Sequence, residues 1–159
     1  MDWIFRLADE ITVRRFLQWR YEPPYDVYNA DPGNLEADVR YFRDPEILCY
    51  GIEDPSGELL AYCTFGVDAR VGGGDYSTEA LDIGLGVRPD LTGQGRGIAF
   101  VEVVLAFARR SFAPKAYRVT IAQFNQRAQK VWRKAGFRQV QRFEREPDGL
   151  PFVVFVRDA

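Results

Sequence analysis

An α+β domain built on a mixed β-sheet is the fold this sequence predicts, and three observations predict it. Strand-like apolar runs alternate with amphipathic helical stretches in the order β-α-α-β-β-β-α-β-α-β-β. Two connections, Asp54-Pro55-Ser56-Gly57 and Pro147-Asp148-Gly149, are short polar turns that make hairpins, while others pass through a helix and so favour parallel neighbours. The chain has 159 residues, of which 47% are apolar and 28% charged, enough for one domain spanning residues 1–159 with its own core.

WIFRLA (3–8) reads as the first strand, and Asp9 or Thr12 caps a helix through VRRFLQWR. YEPPYDVYN (21–29) follows as a loop, broken by Pro23-Pro24, with three tyrosines exposed around Asp26. Asn34 caps a second helix, LEADVRYF, which Asp44-Pro45 ends. ILCYGIED and ELLAYCTFGVD form the first hairpin, and Gly72-Gly73-Gly74 marks a mobile connection. In EALDIGLGV (79–87), Leu81, Ile83, Leu85 and Val87 alternate with Asp82, Gly84 and Gly86, which predicts a strand with one almost bare face. Ile98, Val101, Leu105 and Ala108 then form a helical stripe that Pro114 closes. YRVTIAQ (117–123) is a strand, Asn125 caps QRAQKVWRKAGF, and Gly136 stops that helix. RQVQRFER and PFVVFVRD make the terminal hairpin.

Several function classes are disfavoured. MDWIFRLADE lacks the pattern of a secretory signal, and the longest apolar run, Ile98 to Ala108, contains Glu102 and is too short to span a bilayer. Cys49 and Cys63 match no metal or redox spacing and read as buried small hydrophobes, in keeping with a cytoplasmic setting. The absence of histidine excludes Ser-His and Cys-His nucleophiles and argues against a metal site. Residues 22 to 58 carry ten acids against Arg40 and Arg43, whereas residues 88 to 145 carry thirteen Lys or Arg against three acids. One flank suits an anionic ligand and the other a cationic one, although solvated helix faces produce part of such a split. The acidic flank disfavours nucleic acid, and nothing points to a membrane partner.

RPDLTGQGRGIAF (88–100) places glycines at 93, 95 and 97 between a strand and a helix. Such a turn aims main-chain N–H groups at one spot where the helix dipole also favours negative charge. A P-loop is excluded because Ile98 and Ala99 follow Gly97 in place of Lys and Ser/Thr. A Rossmann turn is disfavoured by the G-x-G-x-G spacing and by Gln123-Phe124-Asn125 at the end of the next strand.

DIGLGVRPDLTGQGRGIAFVEVVLAFA resembles the principal CoA-binding segment of the GNAT superfamily, the Gcn5-related N-acetyltransferases. FNQRAQKVWRKAGF resembles that family's second signature. The resemblance implies a three-layer α/β/α arrangement around a mixed, mostly antiparallel sheet with one splayed parallel strand pair. It implies acetyl-CoA as cosubstrate, no metal, and transfer of the acetyl group to a primary amine. The acceptor is a small cationic amine or a protein amino group, and a homodimer is compatible.

Residue by residue, the resemblance gives the Leu85 N–H to the thioester oxyanion and the Val87 N–H to the pantetheine arm, with Gly86 leaving the backbone approachable. A bare glycine face also fits simple edge irregularity. Gly93, Gln94, Gly95, Arg96 and Gly97 wrap the diphosphate with backbone donors, the Thr92 hydroxyl caps the loop or contacts phosphate, and Arg88 and Arg96 add charge or are simply solvated. Asn125 holds pantetheine or merely caps its helix. Two positions depart from the family pattern: Thr92 replaces the usual Gln or Arg, and Trp132 replaces a tyrosine often assigned to protonate the thiolate. An alkylammonium has a pKa near ~10 and must lose a proton before attack, so a carboxylate base is expected. Asp82 and Glu79 are candidates, with Asp26 and Glu22 as rivals. Glu22, Tyr25, Asp26 and Tyr28 line the expected acceptor site, where aromatic faces and acids suit a cation. A non-catalytic acetyl-CoA sensor on the same fold is the alternative.

Overall fold

The computed structural model describes residues 2–159. The chain divides into two compact units, one running to Thr64 and including Leu85–Thr92, the other formed by Phe65–Gly84 and Gly93–Ala159. The charge imbalance follows this division. The first unit has 14 acids against seven arginines, and the second has nine acids against 14 Lys or Arg.

In the first unit, β1 (Ile4–Leu7) pairs antiparallel with β2 (Leu48–Glu53), from Ile4↔Glu53 to Leu7↔Tyr50. Helix α1 (Glu10–Leu17) starts where the Asp9 carboxylate accepts the Thr12 N–H at 2.8 Å, as the sequence predicts. Helix α2 (Leu35–Arg43) differs from expectation, because Asn34 makes no side-chain cap bond. Pro32 begins a short 3-10 turn one step earlier, and there the Asp31 carboxylate accepts the Gly33 N–H at 2.9 Å. Val13, Phe16, Leu17 and Val39 from the two helices are buried with Cys49 and Leu59. Each large apolar side chain buried in this way contributes roughly 1.5–3 kcal/mol. Both cysteines are buried thiols, and burial pushes the Cys63 pKa well above its ordinary value. They act as small hydrophobes.

The β2–β3 turn (β3, Leu59–Phe65) is built as its residues suggest. The Asp54 carboxylate accepts the Ser56 and Glu58 N–H groups, and Gly57 takes φ +91°.

The second unit contains the start of β4 (Leu81–Val87), α3 (Gly97–Phe112), β5 (Ala116–Ala122), α4 (Gln126–Lys134), β6 (Arg138–Glu144) and β7 (Pro151–Asp158). β4 and β5 are parallel, with register pairs Leu81↔Tyr117 and Asp82↔Arg118. β7 pairs antiparallel with β5 along its whole length and with β6, which carries a register shift between Gln139 and Gln141. The strand order is β1-β2-β3-β4-β5-β7-β6, a mixed sheet with one parallel pair. On α3 the expected positions Val101, Leu105 and Ala108 are buried, together with Phe100 and Val104. Among the described residues no helix is long and apolar enough to cross a membrane.

Helix α4 ends in a Schellman motif. The Gly136 N–H (φ +92°) bonds the Arg133 carbonyl, and the Phe137 N–H bonds the Trp132 carbonyl. The accompanying apolar contact is Trp132 against Phe137, edge to face at 5.0 Å.

The Gly72–Gly74 segment, expected to be mobile, is docked instead. The Gly72 carbonyl accepts the Glu146 N–H, and a Cβ on Gly73 would stand 2.7 Å from the Glu144 carbonyl oxygen. These glycines are small because the β6 end lies against them. The same connection is fastened by a buried ion cluster. Arg118 donates to both Asp82 oxygens (2.6 and 2.8 Å) and to the Thr78 carbonyl, and Arg70 donates to Asp82 at 2.9 Å. The Tyr76 ring lies under both guanidiniums, and its hydroxyl pairs with Thr120 at 2.9 Å. The Asp82 carboxylate holds the Arg118 guanidinium above its ordinary pKa.

Removing one partner from such a buried pair strands the other charge. Asp82→Asn is therefore expected to lose about 3–5 kcal/mol in urea unfolding. Wild-type stability in that variant would contradict the reading of Asp82 as a structural anchor.

Candidate functional site

Within the first unit, the outer half of β4 presents its main chain in a defined direction. The Arg88 N–H bonds the Leu60 carbonyl at 2.9 Å, which turns the main-chain groups of Arg88 toward β3. Alternate residues of a strand face opposite edges, so Leu85 and Val87 direct their N–H and C=O groups to the other edge. The Tyr21 hydroxyl meets that edge, donating to the Val87 carbonyl at 2.8 Å. Two parallel N–H groups two residues apart can pair with an extended ligand as a strand would.

The bare face at Gly86 is not open to a ligand, which corrects the expectation for this residue. A Cβ there would lie 2.3 Å from the Tyr62 ring and 3.0 Å from its hydroxyl oxygen. Tyr62 in turn stacks on Phe16 at 3.9 Å. Gly86 is small to admit an aromatic side chain of its own unit.

The loop of residues 21–29 is closed at its neck, where the Tyr21 N–H bonds the Asn29 side-chain oxygen at 2.7 Å. Inside it, Tyr25–Tyr28 forms a 3-10 turn, and the Tyr21 and Tyr28 rings meet edge to face at 6.5 Å. Glu22, Asp26 and Tyr28 are exposed, whereas Tyr21 and Tyr25 are half-buried. Through Tyr21 the expected acceptor loop hangs directly on β4. A shallow groove between α1 and α2 also exists, but its charges largely neutralise one another. Arg14 holds both oxygens of Glu36 at 2.9 Å, and Arg43 reaches Glu10 at 3.2 Å.

Within the second unit, the glycine turn opens α3. Gly93 and Gly95 adopt φ +71° and +74°, the left-handed region where glycine is unstrained. Arg96 follows in the right-handed region (φ −92°, ψ −7°), and no side chain caps the helix. A left-handed residue followed by a right-handed one curls successive N–H groups into a concave nest. Among the described residues, no main-chain acceptor takes the N–H groups of Gly93, Gly95, Arg96 or Gly97. Gln94, Gly95 and Arg96 are exposed around them, and Gly97 lets α3 approach α4, with Val131 only 3.0 Å from its Cβ position. The arrangement curls main-chain N–H groups at the positive end of a 16-residue helix, a geometry that favours negative charge.

The side chains expected to assist behave differently. Thr92 turns its hydroxyl to the Pro89 carbonyl at 2.7 Å. Arg88 is held by both Asp90 oxygens (2.7 and 3.2 Å) and by the Leu59 carbonyl. Asn125 spends its side-chain oxygen capping α4, accepting the Ala128 N–H at 3.0 Å. Trp132, whose indole N–H the family pattern sets beside the cofactor, is buried, and its ring packs in the Schellman contact.

Asp82 is corrected as well. Only 1% of its side chain is exposed and both oxygens are engaged by guanidinium donors, so it is not presented to a substrate amine, and geometry comes first for a base. Glu79 is exposed and stands 3.6 Å from Lys115.

Three residues near these features were not singled out as site residues. Tyr62 carried no local signal. Tyr21 lay in the quoted loop, but nothing in the sequence distinguished it from its neighbours. Arg127 was detectable, because a cation two residues after a predicted N-cap sits in the first turn of its helix. Its Nη1 lies 3.2 Å from the Cβ position of Gly93.

Comparison with known proteins covers both units of the chain. A family model described as Acetyltransferase (GNAT) family matches residues 12–137. Among solved structures, aminoglycoside acetyltransferase AAC(6')-Ib in complex with coenzyme A superimposes with a TM-score of 0.76 at 22% identity, covering 99% of this chain and 95% of that one. A spermidine N-acetyltransferase chimera from Vibrio cholerae and hSSAT gives 0.74 at 12% identity, with 99% and 96% coverage. The protein yncA of Salmonella typhimurium, solved with its cofactor acetyl-CoA, gives 0.66 at 15%, with 99% and 94% coverage. At these identities the likeness establishes the fold. A comparison with curated proteins found no match. With the family model spanning most of the sequence, and the strand and glycine turn that carry its signature folded as described, the chain belongs to the GNAT family of acetyltransferases.

Proposed function

We propose that the protein is an acetyl-CoA-dependent N-acetyltransferase acting on a primary, cationic amine. One observation carries the reading. The Gly93–Gly97 turn exposes unclaimed main-chain amides at an uncapped helix start, which suits a diphosphate. The contiguous stretch Leu85–Val87 supports it with N–H groups aligned on one strand edge.

In this reading Val87 pairs with the pantetheine arm and the Leu85 N–H faces the thioester oxygen. The neutral amine attacks the acetyl carbon, and the carbonyl π electrons move onto oxygen, where the Leu85 N–H stabilises the oxyanion. Collapse of the intermediate expels the CoA thiolate. The ammonium proton leaves to a carboxylate or water, and the thiolate is protonated by water, since Trp132 is buried and an indole is no practical acid. With Asp82 committed to its arginines, the exposed Glu22 and Asp26 on the acceptor loop are the carboxylates that attract the substrate and accept its proton. Tyr25 and Tyr28 supply aromatic faces for the cation.

Acetyl-CoA at a hundredfold excess over its Kd should stabilise the fold by about 2.7 kcal/mol, a Tm rise of several degrees, while NADH should give none. The converse pattern would defeat the assignment. Acetyl-CoA binding without thiol release across a panel of polyamines, aminoglycosides and peptide N-termini would favour the sensor reading. Gly95→Val should weaken acetyl-CoA about tenfold in calorimetry, because a β-branched residue resists the left-handed backbone at a cost of about 1–3 kcal/mol. No protein atom lies within 4 Å of its Cβ position, so simple crowding predicts no change and would be indicated by an unaltered Kd.

A further inference from the structure

We infer that Arg127 is the side-chain cation of the diphosphate site, reaching the glycine turn from α4. The inference rests on the acetyl-CoA reading above and specifies which part of that ligand Arg127 contacts.

The geometry is local to the second unit. Arg127 lies in the first turn of α4, and that turn is fixed on both sides. Asn125 caps it, and the Gln123 carbonyl accepts the side-chain amides of Gln126 (3.1 Å) and Gln129 (2.8 Å). From this base the guanidinium extends until Nη1 stands 3.2 Å from where a Cβ on Gly93 would be. Gly93 therefore serves two purposes. It supplies a left-handed φ of +71°, and it leaves room for a planar cation to lie against the turn.

The neighbouring groups leave this role open. Arg88 is drawn off by Asp90, and the Thr92 hydroxyl is turned to its own backbone. A guanidinium carries parallel N–H donors that match two phosphate oxygens, and it pairs with them more strongly than a neutral donor does. Main-chain amides from the turn and a guanidinium from α4 would thus hold the diphosphate together. Because the cation contacts the turn itself, it should read the diphosphate and not the 3′-phosphate of the adenosine.

Calorimetric titration of the intact protein with acetyl-CoA and with acetyl-3′-dephospho-CoA tests this. Arg127→Gln, at an exposed position, is expected to weaken both ligands by the same factor, about tenfold or more, with an unchanged Tm of the free protein. Arg127→Lys should recover part of the loss. Arg110→Gln, also exposed at the end of α3, should leave both affinities unchanged. A loss confined to acetyl-CoA would show that Arg127 reads the 3′-phosphate. Equal losses in Arg127→Gln and Arg110→Gln would reduce the effect to overall charge. Unchanged affinity in Arg127→Gln would remove the residue from the site. Each of these three results overturns the inference while leaving the acetyl-CoA reading intact. If the wild-type protein binds neither ligand, the functional reading fails first.

Discussion

Outward-facing main-chain amides at the start of α3 are the constraint on which the account depends. Gly93 and Gly95 take backbone angles that side-chain-bearing residues resist, and Arg96 returns the chain to the right-handed region. The resulting curl keeps four N–H groups from ordinary partners. Exposed donors of this kind are satisfied by water or ligand, and an anion with several oxygens satisfies them together. The adjoining helix adds a dipole without adding a titratable group, so the cradle does not depend on pH near neutrality.

A second constraint holds the strand that leads into this turn. Asp82, at the start of β4, is clamped by Arg118 and Arg70, and Arg118 also ties down the Thr78 carbonyl. Charges buried this deeply are tolerated only when every donor and acceptor is matched, and the cluster meets that condition. Its consequence is rigidity at the root of β4. Farther along the strand, Tyr62 fills the space over Gly86 and Tyr21 bonds the Val87 carbonyl. The loop of residues 21–29 and the outer half of β4 are thereby joined within the first unit.

Features set by neighbouring residues were legible in the sequence. The Asp9 cap, the Asp54 and Pro147-Asp148-Gly149 turns, the α3 stripe and the Gly136 stop all follow from spacings of a few residues. The glycine turn was legible for the same reason, since three glycines at alternate positions between a strand and a helix stand out within five residues. What stayed hidden depends on partners far along the chain. Alternation placed Asp82 on the polar side of its strand, but only the fold brings Arg118, 36 residues later, against it. Gly86 looked bare until Tyr62 was seen to cover it, and Gly72–Gly74 looked mobile until β6 was seen beside them. Trp132 matched a tyrosine position in pattern, yet its ring belongs to the helix stop.

Amide-resolved NMR during titration with acetyl-CoA examines the cradle most directly, because it reports on the donors themselves. The account predicts large downfield proton shifts at Gly93, Gly95, Arg96 and Gly97, with smaller shifts at Leu85 and Val87. Saturable binding that leaves the four turn amides unmoved, while resonances elsewhere shift, would contradict it.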